Sequence, residues 1–231
     1  MKAKIIELNE IDSTNLFCKR YDADSLDCDL IVTAKRQISG RGTKGRSFVS
    51  DEGGLYLSVM RKIKGFDFAN TFSIMIDSCV AVCKTLEQAG LNPVIKWAND
   101  VLVGGKKISG TLIENRLLSQ GVCLSIVGIG INVNNALPEE LREIATSVKE
   151  QTGKNYSVKR MRNALIKNLS GSYTVEDYKR YVNWFGREIE LIYSGEVKRA
   201  LAVDIDKDGS LICKIDGELK KINSAEMSAR L

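Results

Sequence analysis

The chain has 231 residues, 44% of them apolar and 27% charged, enough for one sizeable folded domain and a small second one. The net charge of +5 suits anionic ligands but is too small to argue for nucleic acid by itself. No histidine is present, which removes the usual zinc frameworks and every Ser-His or Cys-His nucleophile.

The six cysteines form no C-x-x-C, and residues 1–10 carry no apolar run of signal-peptide or membrane length. Both features suit a reduced, cytoplasmic protein away from membranes. Residues 4–8 (KIIEL) read as a first strand. Asp12 or Ser13 then caps a helix to about residue 22, its side-chain oxygen taking an orphan N–H. Residues 29–35 (DLIVTAK) read as a buried strand that feeds the stretch KRQISGRGTKGRSFVSDEGGLY at 35–56. From residue 30 to residue 50 there is no acid, and Gly40, Gly42 and Gly45 separate Arg41, Lys44 and Arg46. Glycine permits positive φ and leaves peptide N–H groups open to an anion. Arginine adds a planar fork for carboxylate or phosphate. The stretch reads either as a mobile flap over an anionic ligand or as a solvated basic loop.

Residues 54–61 alternate as a strand. Asn70 caps a helix whose apolar face carries Met75, Cys79, Val82, Cys83 and Leu86, and Gly90 ends it. A meander follows: a strand at 94–97, a bend at Asn99 and Asp100, a strand at 101–103, a hairpin turn at Gly104 and Gly105, and a strand at 106–116. Residues 121–133 (GVCLSIVGIGINV) form the longest apolar strand, with Gly128 and Gly130 marking close approach of another group. This strand is expected to offer an edge to a partner or carrier. Pro138 with Glu139 and Glu140 opens a helix; Ser157 opens another to about residue 170; Thr174 opens a third, with Asp177 as a capping-box acid. Beyond Gly186 the pattern is short strands with turns at 194–195, 206–209 and 216–217, a small β-barrel. The expected class is α+β: a mixed sheet flanked by helices over 1–185, and a small β domain over 186–231.

Four segments besides the basic stretch hold polar side chains in suggestive order. Ser13-Thr14-Asn15 is either plain helix capping or a ligand contact. Lys96-Trp97-Ala98-Asn99-Asp100 is either a polar turn or a phosphate and magnesium contact. In GGKKISG (104–110), Lys106 and Lys107 point oppositely on a strand, so at most one faces a given site. In GIGINV (128–133), Asn132 is the one polar side chain of an apolar run and needs partners.

The order STN, Q-x-x-GRG-x-x-GR, KW-x-ND, GGKK-x-x-G and GIGINV, spanning residues 8–133, resembles the biotin protein ligases. The C-terminal segment is similar, more weakly, to that family's SH3-like domain. The resemblance implies ATP-dependent activation of biotin to biotinyl-5′-AMP, with Mg²⁺, and transfer to a lysine of a biotin carboxyl carrier domain. It implies that Ser13, Thr14, Asn15 and Gln37 contact biotin, with Gly110 letting its ring pack on the backbone. Arg41 would neutralise the biotin carboxylate and the attacked phosphate, and Lys107, seven residues after Asp100, would be the catalytic lysine. Gly40, Gly42, Arg46 and Phe48 would hold the nucleotide, Phe48 standing where a tryptophan often stacks on adenine. Asn99, Asp100 and Asn132 would line the nucleotide and magnesium region, and Asp100 would orient or deprotonate the carrier amine.

Three departures are visible: GRGTKGR for GRGRRGR, with Thr43 in place of a cation; KWAND for KWPND; and SAEMSAR (224–230) for the usual C-terminal motif. With a strand inside the first ten residues there is no room for a preceding helix-turn-helix, so sequence-specific DNA binding is not expected. A homodimer is compatible with the sequence. Two rivals remain: a lipoate–protein ligase with the same chemistry, and a non-catalytic module that binds biotin and nucleotide.

Overall fold

The computed structural model describes residues 2–65, 71–118, 122–193, 196–222 and 229–230. The expected cap at Asn70, the strand start at Gly121, the turn at 194–195 and the 224–228 part of the C-terminal motif lie outside the described residues.

Seven strands build the larger sheet: β1 (Ala3–Ile11), β2 (Asp29–Gln37), β3 (Leu55–Lys64), β4 (Val94–Lys96), β5 (Asp100–Val103), β6 (Lys106–Leu117) and β7 (Val122–Ile131). Their spatial order is β1-β2-β3-β7-β6-β5-β4. The first pair is parallel and every other pair antiparallel, so the sheet is mixed. The expectation that the long apolar strand offers an edge is overturned. β7 lies between β3 and β6, so both of its ladders are taken, which is why it is apolar on both faces.

Alternation along the strands splits the core into two layers. Ile31, Leu57, Val59, Val127 and Ile129 pack with Cys79, Val82, Cys83 and Leu86 of α2 (Thr71–Glu87). On the opposite face Leu30, Val32, Met60, Leu124 and Ile126 pack with Cys18 and Phe17 of α1 (Thr14–Arg20). Gly104 and Gly105, with φ of 58° and 77°, make the two-residue hairpin that joins β5 to β6, a turn that needs positive φ at both central positions.

The helix expected from Pro138 is one 3-10 turn, Glu139–Leu141. The chain after it is drawn into pairing with β6 instead: Lys107 N donates to the Ile144 carbonyl and Thr146 N to the Lys107 carbonyl, both at 2.9 Å. A short helix not anticipated from the sequence follows, α3 (Val148–Thr152), with a full capping box between Ser147 and Glu150. α4 (Val158–Asn168) is capped by Ser157, and α5 (Val175–Lys179) by the Thr174 and Asp177 box.

The C-terminal strands β8 (Glu188–Tyr193), β9 (Glu196–Ile205), β10 (Leu211–Ile215), β11 (Glu218–Ile222) and β12 (Ala229–Arg230) form a five-stranded antiparallel sheet ordered β11-β10-β9-β8-β12. Among the described residues no pairing closes β11 onto β12, so the expected closed β-barrel is not seen there. Its apolar face joins the α2 layer through Ile189, Leu191, Ala202 and Ile205. The indole Nε1 of Trp97 donates to the Gly209 carbonyl at 2.9 Å, tying the turn after β4 to this sheet. Among the described residues no helix is long and apolar enough to cross a membrane.

Candidate active site

A narrow cleft of about 40 Å³, partly open to solvent, lies on the α1 face of the larger sheet. It is lined by Ser13, Thr14 and Asn15 at the start of α1, by Gln37 at the end of β2, by Arg41, Gly42, Thr43 and Phe48 after it, by Asn99, and by Lys107, Gly110, Gly128 and Gly130 of the sheet. Each of the five sequence segments therefore contributes to the cleft, KW-x-ND through Asn99 and GIGINV through residues 128–130.

The floor is a hydrogen-bonded network. Ser13 occupies the N-cap of α1, yet its side chain makes no capping bond. The Asp12 carboxylate takes the Ser13 N–H at 2.7 Å and pairs in two places with Arg20. The Arg20 hydrogen bond holds the Asp12 carboxyl below its ordinary range. Asp12 thus takes the N-cap amide and Gln37 the first helical amide, and the Ser13 hydroxyl is left for the cleft. The Thr14 N–H and hydroxyl both donate to Gln37 Oε1, at 2.8 and 3.1 Å. Ser58 of β3, fully buried, lies 2.7 Å from the Thr14 hydroxyl and 2.6 Å from Asn15 Oδ1. Asn15 Nδ2 donates to Glu114 at 3.0 Å. Gly128 makes this possible, because a Cβ there would collide with the Asn15 amide.

The basic stretch is a narrow flap. Phe48 N donates to the Gly40 carbonyl at 2.9 Å and Gly42 N to the Arg46 carbonyl at 2.7 Å, with Arg41 and Ser47 bridged between them. Lys44 and Gly45 turn the tip with φ of 56° and 75°. Part of the backbone expected to lie open is taken up: the Gly42, Arg46 and Phe48 amides close the flap on itself. Gly40 is needed because a Cβ would strike the Phe48 carbonyl and the Ser50 hydroxyl. The Phe48 ring lies over Gly130, where any side chain would displace it. Arg46 stands exposed on the flap and does not line the cleft.

Strand geometry separates the two lysines. Lys106 turns away and bonds the Arg142 carbonyl. Lys107 enters the cleft, its Nζ 2.8 Å from Asp100 Oδ1 and 5.9 Å from the centre of the Phe48 ring. Gly110 pairs with Asp100 across the ladder, and a Cβ on it would come within 3.1 Å of the Lys107 ammonium. Asn99 Nδ2 donates to Asp100 Oδ1 and to the Thr111 carbonyl, both at 3.1 Å. Behind this turn the Tyr178 hydroxyl donates to the Ala98 carbonyl at 2.8 Å.

Asn132 is beside the cleft rather than in it. Its amide donates to the Thr146 carbonyl at 3.1 Å and accepts from Asn135 at 3.2 Å, so it bolts the end of β7 to the 144–149 segment. Ser58, Glu114 and Lys19 were not singled out from the sequence. Ser58 carried the same signal as Asn132, a lone polar residue in an apolar run. Glu114 and Lys19 carried none. Burial pushes the Glu114 carboxyl up, but hydrogen bonds from Lys19 and Asn15 and the nearby charges of Lys19 and Arg41 outweigh it and hold the group below its ordinary value.

Residues 8–134 match the model of the Biotin/lipoate A/B protein ligase family, over half of the chain. The chain belongs to that family. Residues 185–230 match the Biotin protein ligase C terminal domain. Among curated relatives, the Bifunctional ligase/repressor BirA of Bacillus subtilis is 31% identical over 85% of this chain, and the match spans 65% of that relative. The chain thus covers just under two-thirds of that protein. The BirA of Escherichia coli is 26% identical over 95% of this chain and 72% of its own. Among solved structures, the biotin protein ligase from Aquifex aeolicus in complex with biotin and ATP is 32% identical, with a TM-score of 0.84 over 98% of each chain. An archaeal lipoate protein ligase from Thermoplasma acidophilum, 19% identical with a TM-score of 0.54, shares the fold.

Proposed function

We propose that this member of the family is an ATP-dependent biotin protein ligase. The biotin carboxylate attacks the α-phosphorus of MgATP, a C(O)–O–P bond forms and pyrophosphate leaves. The carrier lysine amine then attacks the acyl carbon, AMP leaves and the amine loses its proton. The observation that supports this most is the convergence of Arg41 and Lys107 on a cleft whose floor is the Thr14, Gln37, Ser58 and Asn15 network. The likeness to a ligase with biotin and ATP bound supports it independently.

The first step sets two anions against each other. A carboxylate is already ionised at neutral pH, so the attack needs no base and the absence of histidine costs nothing. What it needs is alignment and fixed positive charge on the developing phosphorane. Arg41 and Lys107 supply the charge from the flap and the sheet, and Arg46 adds to it from the exposed flap. Ser13, Thr14, Asn15 and Gln37 take the ureido head and Gly110 leaves room beside Lys107. Phe48, with Gly40 and Gly42 shaping its flap, and Asn99 take the nucleotide. Asn132 acts one layer behind, by holding β7. Magnesium enters with ATP: among the described residues no group of three or more metal-binding side chains is assembled. That suits a cation held chiefly by phosphate and water, with Asp100 the nearest protein carboxylate to Lys107. Asp100 is also our candidate to orient the carrier amine.

We take residues 1–185 as the catalytic domain and 186–231 as a second domain of SH3-like type, a reading the C-terminal match supports. The partner is a biotin carboxyl carrier domain in the cytoplasm, a setting that the six unpaired thiols suit. A homodimer and freedom from operator binding complete the proposal. The test is transfer of biotin to a carrier domain, with lipoate offered in parallel. Transfer of biotin that needs ATP and is lost in Lys107→Ala supports the reading; preference for lipoate, or tight binding without transfer, replaces it with one of the two rivals.

A further inference from the structure

Glu114 has no part in the chemistry above, yet it touches three groups around the cleft. Lys19 Nζ donates to its Oε1 at 2.7 Å and Asn15 Nδ2 to its Oε2 at 3.0 Å. Arg41 Nη1 stands 3.7 Å from the same Oε1, beyond hydrogen-bond length. The carboxylate comes from the middle of β6, on the face that carries Gly110 and Leu112, both of which line the cleft. It is therefore a fixed negative charge set on a rigid strand beside the one flap guanidinium that faces the cleft.

We infer that Glu114 is a positioning residue that competes with the substrate carboxylate for Arg41. The inference rests on the reading above, in which Arg41 receives that carboxylate. The loose contact with Glu114 biases the direction of the guanidinium before substrate arrives. The same contact opposes substrate binding, because a second carboxylate on Arg41 meets the charge of Glu114. Lys19 offsets that charge from the other side. The attraction of Arg41 for a substrate carboxylate is thus partly offset by the displacement of Glu114, a penalty felt by an acid and not by its neutral analogue.

The test compares biotin with biotinol, its neutral alcohol analogue, by calorimetric binding to the full chain. In Glu114→Gln the amide still accepts from Asn15, so the pocket floor is kept while the charge is removed. Biotin should bind about three- to tenfold more tightly, with biotinol unchanged within about twofold. The gain should vanish in an Arg41→Ala background. Lys19→Met should act in reverse, weakening biotin about threefold and sparing biotinol. Equal loss for both ligands would make Glu114 a strut for Asn15 and overturn the inference, as would no change for either. A wild-type chain that binds neither ligand would overturn the functional reading itself, an outcome distinct from loss of the difference between ligands.

Discussion

Replacing Ser58 by alanine should damage both stability and ligand binding, though no ligand is expected to touch it. The hydroxyl is fully buried and lies 2.7 and 2.6 Å from Thr14 Oγ1 and Asn15 Oδ1. A net buried hydrogen bond contributes about 1 kcal/mol, and an orphaned buried acceptor costs about 1–3 kcal/mol. Asn15 Oδ1 has no other protein donor among the described contacts, so the loss should be about 2–3 kcal/mol. With an m-value of roughly 2 kcal/mol/M, the urea midpoint falls by about 1 M. The same change frees Thr14 and Asn15 to reorient, and biotin affinity should drop about tenfold. Equilibrium unfolding in urea and calorimetric titration with biotin read the two effects. Ser78→Ala is the control, since that hydroxyl only back-bonds the Ile74 carbonyl of its own helix at 2.6 Å. It should cost less than about 1 kcal/mol and leave binding alone. A Ser58→Ala chain within about 0.5 kcal/mol of wild type, with biotin affinity intact, would show that the floor network orients nothing.

Three further outcomes follow from the same geometry. Gly130→Ala pushes the Phe48 ring off β7, and overpacking of this kind costs about 1–3 kcal/mol, so the KM for ATP should rise about tenfold while biotin binding without nucleotide changes little. Asp100→Asn should slow carrier transfer about a hundredfold in single turnover while adenylate formation is reduced far less; equal slowing of both steps removes Asp100 from the second step. The folded-state pKa of Glu114 is depressed below 4.5, so its contribution to stability is present above about pH 4.5 and is lost as pH falls through the folded value. Acid titration of unfolding should therefore show a shallower loss in Glu114→Gln below pH 4.5, and identical acid limbs would remove that linkage.

Much of this molecule was legible along the chain because local rules governed it. Alternation allows only one of Lys106 and Lys107 to face a site; the family resemblance singles out Lys107, and an irregularity in the β5–β6 ladder turns it into the cleft while Lys106 goes to the Arg142 carbonyl. The Thr174 and Asp177 capping box and the Gly104 and Gly105 hairpin stand where their spacing puts them. The failures are non-local. Nothing near Glu114 announces that Asn15, 99 residues earlier, will donate to it. The bond from Trp97 to Gly209 spans 112 residues. Residues 139–147 have a helix-opening pattern, but pairing with Lys107 wins over propensity. The edge expectation for β7 failed because sheet order is not chain order. Three flap amides expected to be bare, those of Gly42, Arg46 and Phe48, are used by the flap because glycine also allows the chain to fold back on itself.

The central claim is that Arg41 on the flap and Lys107 on the sheet make two anions react, and adenylate formation tests it without any carrier. Purified protein with biotin and MgATP should yield biotinyl-5′-AMP and one equivalent of pyrophosphate. Lys106→Ala should match wild type, and Lys107→Ala should lose at least about a hundredfold in rate. No adenylate from the wild-type chain, or equal rates in the two lysine variants, would contradict the account.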